Sequence, residues 1–129
     1  MSDDPELLAA WLDETDEQLN ELTAALAAWT NDRENASRPA EALRLIHAME
    51  GAAGLLAFEQ LLAANRFVGS EVERVQRMTS SGAKSSPTAD LQPLVEILRD
   101  CNARLRRGES LESATVLVEK LRAARQQTL

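Results

Sequence analysis

Aromatic side chains are nearly missing from this chain: Phe and Trp together supply 3% of the residues and tyrosine is absent. Strands favour aromatic and β-branched residues, so a chain this poor in aromatics and this rich in Ala and Leu argues for helices. A single cysteine, Cys101, excludes an internal disulfide. There is also only one histidine, His47. A metal site in a helical bundle needs several inward Glu and His side chains, including a Glu-x-x-His pair, so no metal is expected. Serine or cysteine hydrolysis needs a histidine base beside its nucleophile, and His47 stands in a helical stretch with no strand-turn-helix elbow. Gly51-Ala52-Ala53-Gly54 lacks a following Lys-Ser/Thr and a preceding strand, which excludes a phosphate-binding loop. No stretch approaches the roughly 20 apolar residues that cross a bilayer, and the start, Met1-Ser2-Asp3-Asp4-Pro5, is acidic where a signal peptide is basic. A cytoplasmic protein without membrane association is therefore expected. Basic residues are scarce early on: through Asn35 there are ten acidic residues against Arg33 alone. Such a surface argues against nucleic acid and leaves protein partners, or simply a solvated acidic face.

What remains suits one core. With 129 residues, 44% of them apolar, the chain can bury a single hydrophobic interior. Five helices are expected. The first runs from about Asp4, with Pro5 in its first turn, to about Trp29, and buries Leu8, Trp11, Leu12, Thr15, Leu19, Leu22, Leu26 and Trp29. Pro39 opens the second, which continues to about Leu56, and the third spans Phe58 to Met78 with Leu61, Leu62, Val68, Val72 and Val75 at helical spacing. Thr79 to Asp90 is rich in Ser, Gly and Pro and predicts a mobile loop. A fourth helix from about Leu91 to Arg107 ends at Gly108 and turns Cys101 inward as a small core residue; Ser110 then caps a fifth that reaches about Gln126. The economical architecture is a single all-α domain over residues 1–129, an up-and-down four-helix bundle with an additional C-terminal helix. In isolation a monomer is expected.

The most informative stretch lies in the second helix. Ala42, Ile46, Met49, Ala53 and Leu56 repeat at spacings of four and three and form its apolar stripe. His47 stands roughly 140° from the centre of that stripe, beside Leu43, Glu50, Gly51 and Gly54. It faces outward. Glycine inside a helix costs about 1 kcal/mol relative to alanine, and the two here leave a strip of surface where another molecule can approach the imidazole without meeting side chains.

The residues His47, Gly51, Gly54, Ala57 and Phe58 resemble the motif of the histidine phosphotransfer (HPt) domain. The likeness is greatest to the N-terminal phosphotransfer domain of chemotaxis-type histidine kinases, whose first helix Trp11-Leu12-Asp13-Glu14-Thr15-Asp16-Glu17-Gln18-Leu19 also resembles. The order of helices and loops agrees over nearly the whole chain. The resemblance implies that His47 accepts a phosphoryl group from a histidine kinase catalytic domain and passes it to an aspartate on a response-regulator receiver domain. Leu43, Gly51, Gly54 and Phe58 would then belong to the docking face. Such a chain is a phosphocarrier rather than a complete enzyme, freestanding or the N-terminal module of a larger kinase. It needs no cofactor of its own.

Three positions depart from that family, which has a lysine, a histidine and a glutamate where Glu50, Arg66 and Gly69 stand here. Each is expected to modulate the acceptor. Glu50 repels a phosphoryl group that lysine would attract, while Arg66 returns positive charge from the third helix; the two read either as a swapped version of the family's electrostatics or as a plain salt bridge. Gly69 removes a side chain that would orient the ring. These departures keep open a second reading, a pseudo-phosphotransfer binding module that regulates a kinase or receiver without carrying phosphate.

Overall fold

A computed structural model describes residues 4–56, 58–82 and 86–126, and among these every regular element is a helix. Helix α1 is Pro5–Asn31, α2 Ser37–Leu55, α3 Glu59–Ser80, α4 Pro87–Arg106 and α5 Ala114–Gln126. Ala57, the small residue of the motif, lies outside the described residues.

The helix ends show which local signals win. Asp4 caps α1, its Oδ1 accepting from the Glu6 and Leu7 N–H groups at 2.9 and 3.3 Å, with Pro5 at the first helical position where no N–H is needed. Helix α4 begins four residues before the expected Leu91. Ser86 Oγ accepts from Ala89 N–H at 3.2 Å and Pro87 again takes the first position, so the end of the expected loop 79–90 is an N-terminal cap and a first helical turn. The far end of α4 closes in a Schellman motif. Gly108, at φ 75°, donates to the Leu105 carbonyl at 3.1 Å, and Glu109 N–H reaches the Arg104 carbonyl at 2.9 Å. The chain leaves that turn in a direction that cannot continue as helix at once. Accordingly α5 starts at Ala114 rather than at Ser110, with Ser113 Oγ accepting from Val116 N–H at 3.2 Å.

Helices α1 to α4 form a ring. Each packs on two neighbours, α1 on α2 and α4, α3 on α2 and α4, and the backbones of the diagonal pairs stay apart; α5 lies on α3 and α4. The connections at 32–36 and 56–58 are too short for anything but antiparallel neighbours. The interior is a contiguous apolar cluster that takes Leu12, Leu19, Leu22, Leu26 and Trp29 from α1, Leu45, Ile46 and Met49 from α2, and Leu91 and Leu94 from α4. Leu117 and Leu121 extend it under α5. Leu8 is only partly buried at its edge.

Polar seams flank this core. Along α1 and α4, Arg99 donates to Asn20 and Thr23 at 2.7 and 2.8 Å, Asn102 donates to Asp16 at 2.9 Å, and Arg106 reaches Asp13 and Asp16 at 2.8 and 2.7 Å. The acidic first helix is thus partly neutralised by arginines of the fourth. At the other end of the same pair, Thr30 and Thr88 share a hydrogen bond at 2.7 Å. No described helix is long and apolar enough to cross a membrane.

Candidate functional site

Helix α2 positions His47 by burying its opposite side. Ala42, Leu45, Ile46, Met49 and Ala53 are at most 1% exposed, and the imidazole stands on the solvent side of the same helix. No described side chain is hydrogen-bonded to it. It sits in a shallow depression with Glu50, Gly51, Gly54, Leu62 and Arg66.

The two glycines have no packing reason to be there. A Cβ built on Gly51 or on Gly54 meets nothing within 4 Å, so alanine would fit at both positions and hold the helix better by about 1 kcal/mol each. Their effect is entirely outward. They keep the surface beside His47 clear of side chains over two helical turns.

Glu50 and Arg66 form an ion pair across the depression, Arg66 Nε to Glu50 Oε1 at 2.9 Å, linking α2 to α3. The carboxylate is the more enclosed partner, 24% exposed against 66% for the guanidinium. The charges therefore largely cancel within the site, while Arg66 retains N–H donors on its open side. Such an exposed pair contributes at most about 1 kcal/mol to the fold.

Other expected site residues are placed elsewhere. Phe58, expected on the docking face, is 5% exposed and packs its ring 5.1 Å from that of Trp11, so it belongs to the core and closes the α2–α3 connection. Leu43 is partly buried against the core and does not line the depression. Gly69 is buried, and a Cβ there would meet Ile46 Cγ2 at 3.5 Å. Position 69 thus faces the α2–α3 interface at Ile46, the residue before His47, and does not line the open depression.

Two residues of this surface escaped the sequence reading. Leu62, assigned to the buried stripe of α3, is only partly buried and forms a wall of the depression. Leu55 is 89% exposed at the last turn of α2. It follows Gly51 by four residues, on the row that starts at His47, so the helical wheel alone places it beside the strip.

Cys101 offers no alternative nucleophile. It is 3% exposed, and burial pushes its thiol up to about 11, with Asp100 adding to the rise and Arg104 and Lys120 opposing it. Among the described residues no group of three or more His, Cys, Asp and Glu side chains is placed to hold a metal ion.

The fold and site define an all-helical bundle with an outward histidine on a cleared helix face. No family model matches the chain, no curated protein matches it in sequence, and no solved structure matches it.

Proposed function

We propose that this chain is a histidine phosphocarrier of a phosphorelay, with His47 as the acceptor. The observation that carries the reading is the pair Gly51 and Gly54, whose positions have room for a Cβ and whose only effect is to clear the surface beside an exposed imidazole. The motif resemblance and the five-helix, all-α architecture support the same HPt-like assignment.

The chemistry is a double displacement at phosphorus. A neutral ring nitrogen of His47 attacks the γ-phosphorus of ATP held by a histidine kinase catalytic domain; the new P–N bond forms as the P–O bond to ADP breaks. The ring proton is released to solvent or to the kinase. In the second step a carboxylate oxygen of a receiver-domain aspartate attacks the same phosphorus, the P–N bond breaks, and the imidazole takes back a proton. This chain contributes the nucleophile and the approach surface, and the partners contribute nucleotide and metal.

Incubation with a competent histidine kinase or a small phosphoramidate donor tests this. Acid-labile label on the parent and none on His47→Gln is the expected result. Acid-stable label on Ser or Thr, or undiminished label on the variant, overturns it. The Glu50–Arg66 ion pair favours a second reading, since it puts a carboxylate beside the acceptor and holds the guanidinium that lines the same depression. A regulatory binding module without phosphate would show no label, and partner binding would persist in His47→Ala.

A further inference from the structure

We propose that the bundle holds, toward the end where α2 turns into α3, a binding site for one ordered water, bridging the Trp11 indole N–H to the Asn65 side-chain oxygen. Both residues are buried, 7% and 4% exposed. Neither Trp11 Nε1 nor Asn65 Oδ1 has a hydrogen-bond partner within the protein, and so they do not bond to each other. Both residues line one small cavity together with Thr15, Met49, Leu98 and Asn102, and it offers about 10 Å³ to the centre of a water molecule. One water needs about 10–15 Å³ on that measure and at least two polar partners. The site supplies both.

The donor count also fits water. An indole N–H can only donate and an amide oxygen can only accept, so a molecule that does both satisfies the two at once. It would do so for either orientation of the Asn65 amide. Thr15 offers a further acceptor on the same wall, because its hydroxyl hydrogen is committed to the Trp11 carbonyl at 2.8 Å and its lone pairs remain. An apolar cavity of this size stays dry, whereas orphaned buried polar groups are the usual hosts of ordered water.

The location gives the water a structural task. Trp11 belongs to α1 and Asn65 to α3, diagonal helices whose backbones stay apart in the ring while their side chains converge on this cavity. A bridge between them fixes how α3 is rotated about its axis relative to α1. The rotation that aims Asn65 inward is the one that carries the next residue, Arg66, to Glu50. A buried polar link of this kind is a means of setting register.

A high-resolution crystal structure of the full chain tests the proposal directly. One ordered water within about 2.7–3.2 Å of both atoms is expected. A direct Trp11–Asn65 hydrogen bond, or a cavity without density, overturns it. Urea unfolding of Trp11→Phe, Asn65→Leu and the double variant gives an independent reading, since Phe keeps a ring against Phe58. If the water couples the two residues, the double variant's unfolding constant departs from the product of the single effects by a factor of at least about two; strictly multiplicative effects count against the bridge.

Discussion

At His47 the decisive neighbour is Glu50, one turn along α2 and held by Arg66 at 2.9 Å. A dianionic phosphoryl group on His47 would compete with Glu50 for that guanidinium while being repelled by the carboxylate. Glu50→Lys is therefore expected to raise the extent of phosphorylation or slow its hydrolysis, and Arg66→Ala to do the reverse. The effect should shrink with salt, because exposed charges are screened beyond about 10 Å at 0.1 M ionic strength. Labelling with a phosphoramidate at low and high salt measures it. Lower labelling of a folded Glu50→Lys protein would instead make Glu50 a base or orienting group. Gly54 gives a second test: its Cβ position is open, so Gly54→Leu should stabilise the helix by up to about 1 kcal/mol while slowing transfer to a receiver. Thermal unfolding and transfer kinetics separate the two effects. Unchanged transfer would show that the strip is not the approach surface. Helical periodicity alone was enough to set His47, Glu50, Gly51 and Gly54 on one face of α2, whereas Arg66 came beside them only through the family resemblance, since it stands on α3. It misled on Phe58, where a motif position was taken as surface and the ring lies against Trp11. A one-dimensional motif does not say which side of a turn faces the core.

Among the helices, α1 was the most legible because its apolar period runs unbroken from Trp11 to Trp29, and every one of those seven positions is buried. The start of α4 was hidden, since Ser86 and Pro87 serve equally as loop composition and as a cap with a proline at the first helical position. What no single-helix pattern could show is the α1–α4 seam, which depends on the register between two helices far apart in sequence. There Asp16 receives hydrogen bonds from Asn102 and Arg106. Burial on its own raises the Asp16 carboxyl, but these bonds and the charges of Arg106 and Arg99 outweigh it and hold the group below its ordinary value. A carboxyl lowered on folding contributes stability that is complete above its unfolded value, near ~3.9, and is lost as pH falls through the lower folded value. The parent should thus lose stability on acidification below about pH 5. Asn102→Ala should start less stable at pH 7 and lose less between pH 5 and pH 2. Urea midpoints across that range check the sign, and an equal acid loss in both proteins would place the acid sensitivity at other carboxyls.

Across the whole molecule, the site and the fifth helix lie on separate faces. Helix α2, which carries His47, touches only α1 and α3, while α5 rests on α3 and α4. The attachment of α5 is mixed: Leu117 and Leu121 are buried, Arg122 lies over the Phe67 ring at 5.5 Å, and Arg125 reaches the buried Glu71 at 3.2 Å. Arg74 holds the same carboxylate at 3.1 Å, so a charge that would be costly to bury alone has two cationic partners. This makes α5 a brace on the α3–α4 side of the ring rather than part of the surface around His47. Leu121 is fully buried, and Leu121→Ala should destabilise the protein by about 2–5 kcal/mol through lost burial and the cavity left behind. At temperatures where that variant remains folded, its rate and extent of His47 labelling should equal the parent's, because no contact of α5 reaches α2. Urea unfolding and phosphoramidate labelling on the same preparation measure both quantities. A labelling defect in the folded variant would mean that α5 acts on the site through α3, by shifting Arg66 relative to Glu50 and His47.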